Sequence, residues 1–327
     1  MNYMRIIFKK FKARMIVGCI LAVIALLAVS VIVFINQASF GRTPRGERLE
    51  RVMKSPNYRN GEFKNQHETL LMTSDRGRFS GIWEFIFRKI DGLRPEQAVK
   101  AIKTDLRKIG RNEEILVWFG HSSYLIQTGG KRILVDPVFC MASPVSFVNK
   151  PFKGTELYTP DDMPDIDYLV ISHDHWDHLD YNTVKKLKDR IGAVICPLGV
   201  GEHFEYWGFD KERLIELDWN EDANLAPGFM IHCLPARHFS GRRLTANQSL
   251  WASFLLEAPS QKIYIGGDGG YDTHYAEIGN RFPGIDLAIL ENGQYNEEWS
   301  LIHLMPQYMA QTARDLKSEK SSDRTSF

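Results

Sequence analysis

The stretch Ser172–Asp180, SHDHWDHLD, directly follows an apolar run and decides how this chain is interpreted. It places three histidines within six positions beside two aspartates, although the whole chain of 327 residues has ten histidines. Because alternate side chains of an extended segment share a face, His173 and His175 can converge on one metal ion. Asp177 and His178, at the turn into the next helix, can reach a second ion. The pattern predicts two metal ions side by side, and a histidine-rich surface loop is the alternative.

Two later strand ends supply further candidate ligands. His238 follows the apolar run Phe229–Leu234 and a Pro-Ala-Arg step, and Asp268 follows the run Lys262–Gly267. Taken alone, His238 is as well explained as a surface histidine as it is as a metal ligand. Asp268 alone is better explained as a turn residue before two glycines. Beside the first cluster, we expect His238 to complete the first ion and the two carboxylate oxygens of Asp268 to bridge both ions.

These residues resemble the metallo-β-lactamase superfamily, in the branch that contains N-acylphosphatidylethanolamine phospholipase D. The likeness also includes Trp118–Ile126 (WFGHSSYLI), the Leu134–Pro137 step and the Gly267–Tyr271 turn. Further matches at 42–65 and 291–306 extend it over most of the chain after residue 40. The resemblance implies an α/β fold, the αββα sandwich, with metal ions at one edge of its two sheets.

The resemblance also implies a role for each candidate residue, with two zinc ions as cofactors. The implied zinc ligands are His173, His175 and His238 for one ion, Asp177 and His178 for the other, and Asp268 as the bridge. Trp176 would face the substrate, and His303 would contact the scissile phosphate. Paired cations make a water more acidic and stabilise the charge that develops on phosphoryl oxygens. We therefore assign catalysis to Asp268 and Asp177 around the metal pair, and not to a serine or cysteine nucleophile.

The end of the chain departs from the family pattern. That pattern continues, after a helix like 306–320, with a strand carrying a His-Trp-Gly step whose histidine completes the second ion. No histidine follows His303 in this sequence. We therefore expect the usual C-terminal strand to be lacking and the second zinc site to be incomplete. His303 is a candidate substitute ligand, and an inactive truncated zinc-binding fragment is an alternative function.

The N-terminal region predicts a membrane anchor. Met15–Ile35 comprises 21 residues without a charge, enough at a rise of about 1.5 Å per residue to cross a hydrocarbon core of about 30 Å. A cleaved signal peptide is the alternative, although its apolar part usually has about 7 to 15 residues. Basic residues within 1–14 predict a cytoplasmic N-terminus and a catalytic domain on the periplasmic or extracellular side, a bias that arginines within 42–51 weaken.

The net charge and the cysteine content argue against nucleic-acid binding, a disulfide framework and a cysteine zinc site. A net charge of +1 gives no indication of nucleic-acid binding. The four cysteines have no spacing typical of a disulfide framework or a cysteine zinc site. The expected partners are a phospholipid substrate and a membrane, and the oligomeric state stays open.

The pattern along the chain predicts four regions: a basic flank at 1–14, a transmembrane helix at 15–35, a linker and helical region at 36–111, and the hydrolase domain at 112–327. In the third region, Phe79–Ile90 is an aromatic helix candidate that serves either packing or lipid entry, and Glu96–Lys108 is a second helix. Further helices, such as Asn182–Asp189, interleave with the strands. The predicted strands of the last region are 115–119, 124–127, 132–135, 194–196, 214–217, 229–234, 253–256, 263–265 and 287–290.

The sequence thus predicts a membrane-anchored, zinc-dependent phosphodiesterase. By resemblance, it would hydrolyse N-acylphosphatidylethanolamine-type phospholipids to N-acylethanolamine and phosphatidate. A broad-specificity metal-dependent hydrolase of small phosphodiesters or lactones is the alternative, because the same ligand set serves many substrates.

Overall fold

The computed structural model describes residues 2–73, 95–145, 148–292 and 296–325. The chain divides into two compact units, Met1–Phe40 and Gly41–Phe327. The α-helices of the described residues are α1 (Asn2–Ile35), α2 (Gly46–Lys54), α3 (Tyr181–Leu187), α4 (Gly201–Tyr206), α5 (His274–Arg281) and α6 (Met309–Asp315). Short 3₁₀ helices lie at Ala38–Phe40, Leu106–Lys108, Pro160–Asp162, Lys188–Arg190, Lys211–Arg213, Glu297–Trp299 and Pro306–Tyr308.

The strands of the described residues form two six-stranded sheets and a small two-stranded one, β1 (Tyr58–Arg59) with β2 (Glu62–Phe63). The strands of the first large sheet, in spatial order, are β3 (Ile115–Gly120), β4 (Ser123–Thr128), β5 (Lys131–Val135), β6 (Ile166–Val170), β7 (Ile191–Pro197) and β8 (Leu214–Leu217). The strands of the second, in chain order, are β9 (Asp222–Ala226), β10 (Phe229–Leu234), β11 (Ser253–Glu257), β12 (Lys262–Ile265), β13 (Ile285–Asn292) and β14 (Ser318–Thr325), and the spatial order is the reverse.

The main core lies between the two large sheets. Side chains alternate across a strand, so Ile133 and Val135 of β5 enter this core while Leu134 faces the helices outside the first sheet. In β10, Ile231 and Cys233 enter the same core, and Leu234 faces outward. The predicted strands therefore have the register that their apolar residues require.

Helices cover the outer face of each sheet. Val184 and Leu187 of α3 and Phe204 of α4 pack on the outside of the first sheet. Tyr275 and Ile278 of α5 pack on the outside of the second sheet. The layers are thus helix, sheet, sheet, helix, and the predicted αββα sandwich is confirmed.

The apolar part of α1 is long and apolar enough to cross a membrane. Lys10–Ile35 comprises 26 residues with a mean hydropathy of 3.2 in its most apolar window. An N-terminal signal sequence can pass the same test of length and composition. The helix ends at Ile35, where the sequence predicts the end of the anchor.

The region predicted as linker and helices has a different structure. Val52 and Phe63 are fully buried in the core between the sheets, so this part of the chain belongs to the second compact unit. The predicted helix Glu96–Lys108 is wrong, since only Leu106–Lys108 is helical, as a 3₁₀ turn. The backbone N–H of Val99 instead donates to the carbonyl of Lys153 at 2.7 Å. The candidate helix Phe79–Ile90 lies outside the described residues.

The expected lack of a C-terminal strand is also wrong. Ser318–Thr325 forms β14, which pairs in parallel with β13 at the edge of the second sheet. Strand pairing at an edge depends on backbone hydrogen bonds, so a polar sequence without apolar alternation can still pair there.

Candidate metal centre

Three loops that follow strands bring the predicted ligands together. The loop after β6 carries the SHDHWDHLD stretch, the loop after β10 carries His238, and the loop after β12 carries Asp268. Gly267 permits the close approach of the last loop, because a Cβ atom there would lie 2.6 Å from the carbonyl oxygen of Ala252. Side chains that are far apart in sequence therefore meet in one buried centre.

The first set of donors, the three-histidine group, consists of His173, His175 and His238. His173 Nε2 lies 2.9 Å from His175 Nδ1, and His238 Nε2 lies 3.3 Å from the same His175 atom. Two donors on one tetrahedral ion, with bonds of about 2.1 Å, lie about 3.4 Å apart. The separation between His238 and His175 thus matches one tetrahedral ion, and that between His173 and His175 is about 0.5 Å shorter.

A second set of donors lies beside the first. His178 Nε2 is 3.1 Å from Asp268 Oδ2, and Asp177 Oδ2 is 3.3 Å from His121 Nε2. His121, Asp177 and His178 form one group of possible ligands, and His173, His178 and Asp268 form another. Asp268 therefore lies next to both sets, which is the position that a bridging carboxylate needs.

The ring nitrogens that face away from the centre have protein partners. His178 Nδ1 donates to Asp136 Oδ2 at 2.9 Å, and His238 Nδ1 donates to the carbonyl oxygen of Ile302 at 2.7 Å. Such partners fix the tautomer and the ring orientation of metal-binding histidines. The Nε2 atoms of both residues are directed toward the centre as a result.

The three-histidine group favours neutral imidazoles. Burial and the neighbouring imidazoles hold the pKa values of His173 and His238 well below the usual range. Burial also lowers the pKa of His175, although Asp177 partly opposes the effect. A neutral imidazole can donate a lone pair to a metal ion, so this group suits a cation without the prior loss of a proton.

His178 has the opposite preference because carboxylates surround it. Burial opposes a charge on His178, but Asp268 and Asp136 outweigh burial and raise its pKa well above the usual range. Burial likewise opposes ionisation of Asp268, but His178 outweighs it and lowers the pKa of Asp268 well below its usual range. The second set therefore brings negative charge to the centre, as required to offset cations.

His303 lies at the border of the centre, joined to a buried carboxylate. Its Nδ1 atom contacts Glu291 Oε1 and lies 3.8 Å from Asp268 Oδ2. Burial opposes a charge on His303, but Glu291 outweighs burial and raises its pKa to about 9. Glu291 also accepts hydrogen bonds from the backbone N–H groups of Gly269 and Leu304. The pair thus offers a protonated imidazole to an anionic substrate.

Trp176, predicted to face the substrate, is half-buried beside the centre. The guanidinium of Arg242 lies 4.1 Å from its ring centroid and also 5.2 Å from that of Trp207. Arg242 donates to the carbonyl oxygens of Asp174 and Leu179. The indole is therefore held in place by a buried cation, and its predicted contact with substrate stays a prediction.

The structure adds three residues that sequence reasoning did not select as members of the site. Asp136 holds His178, Glu291 holds His303, and His121 contacts Asp177. Asp136 and His121 both lie in segments that carried the family resemblance, so a signal existed for them. Glu291 begins the matching segment 291–306, and it also ends an apolar strand run in the same way as the other strand-end ligands.

Comparisons with known proteins agree with this architecture. The family described as "Beta-lactamase superfamily domain" matches residues 131–322. An uncharacterized protein of Mycobacterium tuberculosis (strain ATCC 25618 / H37Rv) is 37% identical over 274 residues, which cover 82% of this chain and 72% of that protein. The N-acyl-phosphatidylethanolamine-hydrolyzing phospholipase D 1 of Caenorhabditis elegans is 32% identical over 197 residues, which cover 56% of this chain and 54% of that enzyme.

Among solved structures, the diiron beta-hydroxylase CmlA of Streptomyces venezuelae has a TM-score of 0.51 at 20% identity. The match covers 65% of this chain and 44% of that one, and it shows a shared fold alone. The family match spans more than half of the chain, from the start of β5 to within β14. The chain belongs to the metallo-β-lactamase superfamily and is similar to the N-acylphosphatidylethanolamine-hydrolysing phospholipases D.

Proposed function

We propose that this metal-dependent hydrolase of the metallo-β-lactamase superfamily is a zinc phosphodiesterase that acts on phospholipids. The substrate class is N-acylphosphatidylethanolamine, and the products are N-acylethanolamine and phosphatidate. The observation that carries the proposal is the convergence of imidazole and carboxylate donors from three strand-end loops in one buried centre. The worm phospholipase D, similar over about half of this chain, supports the choice of lipid.

Zinc suits the donor set better than a hard cation does. The centre is rich in imidazole nitrogen, which zinc prefers, whereas magnesium and calcium prefer oxygen ligands. The residues that would hold two ions are His173, His175 and His238 for the first, Asp177 and His178 for the second, and Asp268 between them. When bound, such ions polarise a phosphoryl oxygen and make a water more acidic.

The other residues of the centre bind and orient the substrate. Protonated His303, held by Glu291, places a positive charge beside Asp268, where an anionic phosphodiester would bind. Asp268 orients the attacking water through its carboxylate, since it lies beside His178 and His303. Trp176, supported by Arg242, would form an apolar wall next to the reacting group.

A membrane location is part of the proposal. The helix that contains Lys10–Ile35 would anchor the protein in the cell membrane as a single span. Basic residues before the apolar run favour a cytoplasmic N-terminus, with the catalytic unit on the other side. Anchoring would keep the catalytic unit close to its lipid substrate.

The test compares two substrates with the purified full-length protein in detergent. After zinc content is measured, the protein is incubated with N-acylphosphatidylethanolamine and, separately, with bis(4-nitrophenyl) phosphate. Release of N-acylethanolamine and phosphatidate, detected by mass spectrometry and abolished by a chelator, is the expected result. Hydrolysis of both compounds at similar rates would instead indicate a broad phosphodiesterase. Zinc-loaded protein that cleaves neither compound would refute the proposal and agree with a zinc-binding protein without turnover.

A further inference from the structure

His121 occupies a turn that directs its ring into the metal centre. Gly120 pairs with Ser123 across β3 and β4, so His121 and Ser122 form the two-residue turn between these strands. The indole Nε1 of Trp118 donates to the carbonyl oxygen of His121 at 2.8 Å. The side chain of His121 is only 6% exposed. The turn therefore holds a buried imidazole against the second set of donors.

We propose that His121 is a ligand of the second metal ion, together with Asp177, His178 and the bridging Asp268. This inference rests on the two-metal centre of the proposed function. One ligand atom from each of His121, Asp177 and His178 lies within 4.8 Å of the other two. The His121 and His178 rings have centroids 5.3 Å apart. The second ion would then have two imidazole ligands, His121 and His178.

The distance to Asp177 matches a shared ion better than a direct hydrogen bond. His121 Nε2 and Asp177 Oδ2 are 3.3 Å apart, whereas an N–H···O hydrogen bond is usually about 2.9 to 3.0 Å long. Two donors on one tetrahedral zinc ion lie about 3.4 Å apart when the bonds are about 2.1 Å long. In the three-histidine group, His238 Nε2 and His175 Nδ1 have the same separation of 3.3 Å, whereas His173 Nε2 and His175 Nδ1 are closer, at 2.9 Å.

The backbone at this position also indicates a specific need for the side chain. His121 has a φ angle of 45°, in the left-handed region that glycine adopts without strain and that histidine, like asparagine and aspartate, adopts more often than other side chains but still at a cost. A histidine held there in a buried turn is consistent with a role for its imidazole, since a smaller residue would form the turn with less strain.

His303, the other candidate for this position, lies on the opposite side of the centre. It forms a possible ligand group with His238 and Asp268, and none of the groups in the described part of the chain joins it to Asp177 or His178. Its Nδ1 atom is engaged with Glu291. The geometry therefore assigns His121 to the second ion and leaves His303 to contact the substrate.

The test measures zinc binding by the full-length protein in detergent. Wild type, His121→Ala and His121→Gln are loaded with zinc, dialysed and compared by mass-spectrometric zinc content and by titration against a chromophoric chelator. Glutamine retains an N–H donor for Asp177 but lacks an imidazole. We expect wild type to hold two zinc ions per chain. Both variants should retain one zinc ion tightly and bind the other more than about 100-fold more weakly. Losing a residue that only hydrogen-bonds to a metal ligand usually weakens metal binding by about 10- to 100-fold, so a larger loss indicates a ligand.

His232→Gln is the matched control, because His232 is a buried histidine that lies in β10 outside the ligand groups of the described residues. It should hold two zinc ions like wild type. X-ray absorption at the zinc edge provides a second measurement, since the two-zinc wild type should show five imidazole ligands in total and not four. Unchanged zinc affinity in His121→Ala, or full zinc content in His121→Gln, would overturn the proposal.

The zinc measurement and the lipid assay can refute the ligand assignment and the substrate proposal independently. If wild type binds two zinc ions with His121 among the ligands but does not cleave N-acylphosphatidylethanolamine, the substrate proposal fails and the ligand assignment stands. If wild type binds two zinc ions and cleaves the lipid while His121→Ala keeps both ions, only the ligand assignment fails. A wild-type protein that binds no zinc under any loading condition would refute both.

Discussion

The two halves of the metal centre use the same residue type in opposite ways. In the three-histidine group, burial and neighbouring imidazoles lower the pKa values of His173 and His238. Outside this group, nearby carboxylates outweigh burial and raise the pKa values of His178 and His303. The comparison shows that the neighbouring groups, and not the histidines themselves, set the charge of each half. One half has neutral imidazoles that can bind a cation, and the other has carboxylates whose negative charge compensates for cations.

Replacing the carboxylate that lies between the halves should have the largest effect. Asp268→Ala should reduce turnover by more than about 10³-fold. Removing one hydrogen-bond donor that stabilises a transition state usually costs about 10²- to 10³-fold, and the loss of Asp268 should cost more because it also affects metal binding. Zinc content should fall below one ion per chain, because both halves lose a ligand. Steady-state kinetics and zinc analysis check this expectation. Asp189→Ala, at an exposed position, is the control. Full zinc content with normal turnover in Asp268→Ala would show that the halves do not share this residue.

The two halves should also differ in stability when metal is absent. His178→Ala leaves the fully buried Asp136 and the buried Asp268 without their cationic partner, and breaking a buried ion pair in this way costs about 3–5 kcal/mol. His173→Ala removes a neutral imidazole and should cost less. Urea unfolding of both chelator-treated variants measures the difference. Equal free energies of unfolding would mean that the charge difference between the halves has no energetic consequence.

How far the sequence predicts this centre depends on how local each contact is. His173, His175, Asp177 and His178 lie in one short stretch, so their spacing and the strand before them predict their convergence. His238 and Asp268 could be predicted only together with that stretch, since each follows a strand of the second sheet and means little alone. The short apolar runs predicted most of the strands, whereas the αββα sandwich was implied by the family resemblance.

The contacts that sequence reasoning missed depend on tertiary structure. His121 meets Asp177 only because the β3–β4 turn packs beside the loop after β6. Glu291 reaches His303 through the end of β13. The edge strand β14 was missed for a different reason, because its pairing uses backbone groups and needs no apolar pattern. Local patterns thus predicted the candidate ligands, and long-range packing determined which further residues contact them.

The carboxylate that holds His303 should affect turnover without affecting metal content. In Glu291→Gln the imidazole loses its negative partner, so its positive charge next to Asp268 is weakened. We expect turnover on the lipid to fall by about 10- to 100-fold, as for other residues that orient a functional group, with zinc content unchanged. Glu257→Gln, at a half-exposed position in β11, is the matched control. Loss of zinc from Glu291→Gln would place His303 among the metal ligands instead.

A buried histidine outside the metal centre, His274, should make the stability of the fold depend on pH. His274 at the start of α5 is 3% exposed, and burial, only partly offset by Asp272, lowers its pKa to about 4. The unfolded chain, with a histidine pKa near 6.5, binds more protons than the folded chain between these values. The stability contributed by neutral His274 is therefore complete above about pH 6.5 and is lost as pH falls toward 4, by about 2 kcal/mol at pH 5.

His274→Gln should remove this contribution. Urea unfolding of chelator-treated wild type and variant at pH 7 and pH 5 gives the two free-energy differences, and subtraction cancels the other buried histidines that both proteins share. We expect wild type to lose about 2 kcal/mol more than the variant over this range. Asp189→Ala, at an exposed position, should behave like wild type. Equal pH dependence in wild type and His274→Gln would mean that burial alone does not hold a histidine neutral in this fold, and the neutral state of the three-histidine group would then have to come from the mutual repulsion of its imidazoles.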